Sequence, residues 1–200
     1  MRIIQLWLTL FSIFLLPFTG SAQEKDTCLS GHLPDYPLPK GVSAPFAGFI
    51  GDWLVVAGGC NFPDIPASEG GKKVYSSQGY ALDTHAASPQ WLPLPDLPYP
   101  VAYGASVETP QGLVCIGGMN ADSCLTQVYR LTWNEAEGFS VQHLPALPET
   151  IDNASATRAG NNIYVTGGNQ QYGQTNLYTL NPETDSVWTK LTPYPGPYRV

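Results

Sequence analysis

The sequence has little charge. Only 12% of its 200 residues are Asp, Glu, Lys or Arg, and acidic groups outnumber basic ones by 16 to 9. The resulting net charge of -7, with no basic run, argues against a nucleic-acid backbone or an anionic membrane surface as partner. Cysteine is also scarce: Cys28, Cys60, Cys115 and Cys124 are too few for a disulfide scaffold. Pairing of Cys115 with Cys124 across a hairpin is conceivable, although Cys115 lies in the apolar run Leu113 to Ile116, where a small buried thiol is the simpler reading. No Cys/His spacing resembles a zinc site, and His32, His85 and His143 are scattered singly, so no metal is expected. Long apolar stretches are missing after the first residues. Ile3 to Phe18 is broken by Gln5, Thr9, Ser12 and Pro17 and falls short of the ~20 residues of a membrane span. With Arg2 before it and Gly20, Ser21 and Ala22 behind it, the stretch reads as a secretion signal over residues 1–22, cleaved after Ala22. A periplasmic or secreted protein with no membrane insertion after cleavage is expected. Cys28 follows Asp26 and Thr27 rather than a small residue, so lipid anchoring is not expected either.

What the chain has in quantity is Gly (20), Pro (19) and aromatic residues (12%), a composition of turns and strands that points to all-β structure. Laying the chain on itself exposes a repeat. Three apolar runs end in a double glycine: Trp53 to Ala57 before Gly58-Gly59, Gly112 to Ile116 before Gly117-Gly118, and Asn162 to Thr166 before Gly167-Gly168. A turn residue (Asp52, Gln111, Asn161) stands six positions before the first glycine of each pair. Tyr129 and Phe139 follow the second pair and Tyr178 and Trp188 the third, at spacings of ten or eleven. Tyr80 and Trp91 keep the spacing of eleven, but Tyr80 lies twenty-one residues after Gly59, so the first unit carries an insertion at 60–73. Each unit leaves through a proline-rich stretch (Pro93 to Pro98, Leu144 to Pro148, Leu191 to Pro195), which suits a connection because proline cannot donate to a ladder. The unit is a four-stranded blade that cannot bury its own faces and must recur.

A double glycine, a tyrosine and a tryptophan at these spacings resemble the kelch motif. The expected fold is a kelch-type β-propeller with an N-terminal extension at 23–40, blades at 41–98, 99–148 and 149–195, and the start of a fourth at 196–200. Three blades and a beginning cannot close a ring of the usual four to eight, so a fragment of a six-bladed propeller is expected, the alternative being two chains completing one ring.

In such a blade the loop after the double glycine and the lead-in to the next blade open on the same face. The candidate pocket-lining residues are therefore Phe46, Asn61, Phe62, Lys72, Lys73, Met119, Asn120 and Asn169, with Tyr99, Tyr103, Asp152 and Asn153 on the lead-ins. Arg158 falls on the opposite face. The insertion holds the most information, since a long loop on a rigid scaffold is where function tends to sit. Its Gly70-Gly71-Lys72-Lys73 lacks the spacing and the hydroxyl residue of a phosphate loop. The lysines either attract an anionic sugar or keep the loop soluble. Asp64 and Glu69, close together on a proline-rich loop, read as solvated rather than as an acid–base pair.

The stretches Gly41 to Gly48, Val55-Val-Ala-Gly-Gly-Cys-Asn-Phe-Pro63 and Glu69-Gly-Gly-Lys-Lys-Val-Tyr75 resemble the N-acetylneuraminate epimerases, the sialic acid mutarotases, in their cyclically permuted branch. The resemblance implies a small sugar acid, N-acetylneuraminate, as partner, exchange of its α- and β-anomers, and no cofactor. It also implies a catalytic glutamate just after a glycine in a post-strand loop, with an arginine a few residues on. The three loops here continue instead as Cys60-Asn61, Met119-Asn120 and Asn169-Gln170, so no catalytic residue is expected within this chain. A noncatalytic kelch module binding a glycan or a protein is the alternative.

Overall fold

The computed structural model describes residues 33–170, 176–193 and 195. The signal expected at 1–22, most of the extension at 23–40 and the fourth-blade start at 196–200 lie outside the described residues or only partly within them.

Three four-stranded antiparallel sheets follow one another along the chain. The first is built from β1 (Phe46–Ile50), β2 (Trp53–Ala57), β5 (Gly79–Asp83) and β6 (Trp91–Pro93). Between its second and third strands stands a small arm: β3 (Cys60–Asn61), a 3-10 turn (Ala67–Glu69) and β4 (Val74–Tyr75), with Cys60 opposite Tyr75 and Asn61 opposite Val74. The second sheet comprises β7 (Ala105–Thr109), β8 (Gly112–Ile116), β9 (Val128–Asn134) and β10 (Gly138–Leu144). In the third region β11 (Ile151–Asp152) and β14 (Asn169–Gln170) pair with each other. The third sheet itself is β12 (Ser155–Ala159), β13 (Asn162–Thr166), β15 (Leu177–Leu180) and β16 (Thr189–Leu191).

The sheets stack through their side chains, and β8 shows how. All five of its residues are buried because sheets lie over both its faces. Successive strand residues point to opposite faces. Leu113 and Cys115 accordingly join Phe46, Val55 and Tyr129 in the core between sheets one and two, whereas Val114 and Ile116 join Ile151, Ile163 and Val165 between sheets two and three. Each fully buried aliphatic side chain contributes roughly 1.5–3 kcal/mol. Cys115 is thus a core residue, and it does not pair with Cys124: both are free thiols.

The double glycines work by backbone proximity. Gly58 and Gly59 have φ of 71° and 94°, and Gly117 and Gly118 have 60° and 98°. Gly59 donates to the Val101 carbonyl at 2.7 Å and Gly118 to the Ile151 carbonyl at 2.8 Å, each in the lead-in of the next sheet. A Cβ on Gly58 would sit 2.6 Å from that Val101 oxygen, and one on Gly117 2.4 Å from the Ile151 oxygen.

A second repeat is visible only in the fold. The residue after each glycine pair bridges to the residue leading into its own sheet: Cys60 to Ser43, Met119 to Ala102, Asn169 to Asp152. The next residue along each lead-in is left-handed, with φ of 51° at Ala44, 62° at Tyr103 and 54° at Asn153. These three are joined in series, Tyr103 N–H to the Ala44 carbonyl at 3.0 Å and Asn153 N–H to the Tyr103 carbonyl at 2.7 Å.

Tryptophans at the outer edge tie the first and third sheets to what precedes them. Trp188 Nε1 donates to the Pro145 carbonyl at 2.8 Å, and Trp91 Nε1 donates in the same manner to Pro34 at 3.0 Å. Tyr36 stands edge-on to both Tyr80 and Trp91, with ring centroids 5.3 Å away in each case. Residues 33–39 therefore lie along the outer part of the first sheet, at Tyr80 and Trp91.

Candidate functional site

Over the glycine-pair end of the stack, the arm of the first sheet reaches the lead-in of the second. Lys73 Nζ donates to Tyr103 Oη at 2.8 Å and lies 4.9 Å from the centre of that ring and 6.0 Å from the centre of Phe62. Both separations fall within cation–π range. Cys60 Sγ approaches the same Tyr103 oxygen at 3.5 Å. The bond to Tyr103 raises the Lys73 pKa above the ordinary lysine value, against a small opposing effect of burial, so the ammonium is retained at neutral pH. Burial also raises the Tyr75 phenol, with the Lys73 charge pulling the other way.

Beside this cluster lies Asp152, only 2% exposed. It accepts from Cys124 Sγ at 3.0 Å, Asn153 Nδ2 at 2.5 Å and Asn169 Nδ2 at 2.7 Å. The bond to this carboxylate, helped by burial, pushes the Cys124 thiol up to about 11. Among the described residues, no group of three or more His, Cys, Asp or Glu side chains is placed to hold a metal ion.

Two clefts flank the arm, with Val74, Tyr75 and Pro100 lining both. One, of about 280 Å³, has Lys72, Lys73, Asn120 and Asp122 on its walls. The other, of about 490 Å³, opens between the arm and the segment leading into the first sheet and includes Asn61, Ser76, Ser77, Gln78 and Asp96.

The sequence-derived candidates are thus distributed unevenly. Lys72, Lys73 and Asn120 line the smaller cleft, Asn61 the larger, and Phe62 lies by the Lys73 ammonium. Asn120 is held in its own loop by Asp122 N–H and Ser123 N–H. Asn169 is a ligand of Asp152, and Met119 contributes backbone bridges to Ala102 and Cys124. Phe46 needs correction: it is 1% exposed and packs in the core against Gly104, where the alternation of β1 turns it away from the open face. Arg158 lines a small cleft at the opposite end, with Gln111 and Glu183. Sequence reasoning passed over Cys60, Tyr75 and Cys124. The signal for Cys60 was present, since it occupies the same position after its glycine pair as Met119 and Asn169.

Three consecutive four-stranded antiparallel sheets, joined through glycine pairs and lead-in carbonyls, are blades of the kelch propeller type. The structure of YjhT, a kelch propeller, aligns with a TM-score of 0.58 at 19% identity, over 82% of this chain and 54% of that one. The chain is similar to proteins named N-acetylneuraminate epimerase. That of Brucella melitensis is 33% identical over 121 residues, 58% of this chain and 30% of the relative. That of Yersinia enterocolitica is 33% identical over 106 residues, 48% of this chain and 26% of the relative. No family model matches the chain. The chain thus spans about 30% of the length of the curated relatives it matches.

Proposed function

We propose that this chain is part of an exported kelch propeller of six blades that interconverts the α- and β-anomers of N-acetylneuraminate. In this reading residues 1–22 direct export to the periplasm or beyond, and the blades run 41–98, 99–148 and 149–195. The observation that carries it is the Lys73 ammonium, held on Tyr103 over the lead-in of the second blade. That arm also carries the sequence resemblance, and the named relatives support the same substrate.

Anomer exchange opens the ring and recloses it. A base takes the proton of the anomeric hydroxyl, an acid protonates the ring oxygen as the C–O bond breaks, rotation turns the carbonyl face, and the steps reverse. The carboxylate of the sugar needs a fixed cation throughout, and Lys73 has the charge and exposure for that role. None of Cys60, Met119 and Asn169, which follow the glycine pairs, offers an acid–base couple, so these blades contribute binding rather than proton transfer.

That same absence favours the second reading, a noncatalytic glycan-binding module. Exchange NMR on N-acetylneuraminate separates the two. Faster anomer exchange with protein present supports the enzyme; saturable binding with unchanged exchange supports the module.

A further inference from the structure

The larger cleft has a chemistry unlike that of its neighbour. Its described lining contains no lysine or arginine, and Lys40 close by donates instead to the Pro63 carbonyl at 2.7 Å. The walls offer two hydroxyls (Ser76, Ser77), two amides (Asn61, Gln78), one carboxylate (Asp96) and one aromatic ring (Tyr75). At about 490 Å³ it falls within the size range of small-molecule sites.

The floor is built in advance. Ser76 N–H donates to Gly59, Leu97 N–H to Ser77 and Val101 N–H to Ser76, so the serine backbone is fixed between the glycine pair and the next lead-in. Of the side chains above it, Asn61 Nδ2 donates to the Gly41 carbonyl at 2.9 Å and Ser76 Oγ accepts from Gln78 N–H at 3.0 Å, which orients both, while Ser77 Oγ to Asp96 Oδ2 spans 3.5 Å, at the limit of a hydrogen bond. Short hydroxyls and amides around a carboxylate, beside an aromatic ring, suit a ligand rich in hydroxyl groups with an apolar ring face. Asp96 disfavours an anionic sugar, and a carboxylate has the two acceptor oxygens that vicinal hydroxyls require.

We propose that this cleft is a binding site for a neutral pyranose, separate from the Lys73 cleft across the arm. Asp96 accepts from the sugar hydroxyls, Gln78, Ser77 and Asn61 complete the polar contacts, and Tyr75 meets a ring face. The site does not depend on the sialic acid reading.

Titration of the protein with methyl β-D-glucopyranoside, followed by ligand-observed NMR, tests this. Saturable binding is expected in the millimolar range. Asp96→Asn and Gln78→Ala should each weaken it about 10-fold, the loss of one charged or one strong polar contact. Both side chains are exposed, so the variants should keep the thermal midpoint of the parent. Lys73→Gln should leave glycoside binding unchanged. The proposal is overturned by absence of saturable glycoside binding, by binding indifferent to both Asp96→Asn and Gln78→Ala, or by displacement of the glycoside by N-acetylneuraminate. Glycoside binding without any N-acetylneuraminate binding would sink the sialic acid reading alone.

Discussion

Lys73 belongs to the first blade, yet its ammonium is fixed by Tyr103 of the second, at 2.8 Å from the phenol oxygen and 4.9 Å from the ring centre. The cation is held in place across a blade boundary, where a substrate carboxylate would find it already oriented. Under the proposed function, Lys73→Gln is expected to weaken N-acetylneuraminate binding about 10-fold or more, since a hydrogen bond to a charged group contributes roughly 1.5–3 kcal/mol. Tyr103→Phe should produce a smaller loss by freeing the ammonium. Calorimetric titration at two salt concentrations checks both, with the salt dependence reduced in Lys73→Gln.

Alkaline pH should destabilise the fold by a calculable route. Cys124 is raised from 9.0 to about 11 by Asp152, and burial raises Tyr36 and Tyr129 from 10.0 to about 12. In each case the folded state holds its proton more tightly than the unfolded chain. Stability contributed by these groups is complete below pH ~9 and is lost as the pH climbs through the folded values. Urea midpoints should hold steady up to about pH 9 and decline from there towards 12. Asp152→Asn should bring the Cys124 thiol down and speed its alkylation at pH 8, and unchanged alkylation would contradict the assigned cause.

Two glycines with positive φ separate backbone strain from steric contact. A Cβ on Gly160 (φ 60°) would meet nothing within 4 Å, whereas one on Gly118 (φ 98°) would lie 2.7 Å from the Ala102 carbonyl oxygen. Gly160→Ala should cost about 1–2 kcal/mol, the left-handed penalty alone. Gly118→Ala should cost clearly more, because the second blade's lead-in must move. Chemical denaturation of the two variants gives the comparison.

Tyr36 clamps residues 33–39 through two edge-on ring contacts. Such pairs contribute roughly 0.5–1.5 kcal/mol each. Tyr36→Ala should lower stability by about 1–3 kcal/mol and make this segment the first site of limited proteolysis.

The repeat was legible because the glycine pair answers to a backbone requirement that no other residue meets, so it survives in the letters. Tyr129 and Tyr178 were legible for a similar reason, being large groups that the interblade cores must bury. The lead-in positions Ala44, Tyr103 and Asn153 share a backbone conformation and no side-chain chemistry, which left their equivalence hidden. The arm read as a loop because its strands are two residues long, too short for any alternation to register. Phe46 was misread as lining since it starts an inner strand, and only its pairing with the core under Gly104 fixes which way it faces. Asp152 and Cys124 meet across 28 residues, a distance that no local pattern encodes.

The series Ala44, Tyr103, Asn153 has one further consequence. Because each left-handed residue accepts from one neighbour or donates to the other, the amides of Tyr103 and Asn153 lie at the seams between blades rather than inside any sheet. Their exchange with solvent deuterium would report seam opening alone, distinct from the fraying of outer strands. The inner rim is in this sense a zipper whose teeth can be watched one at a time.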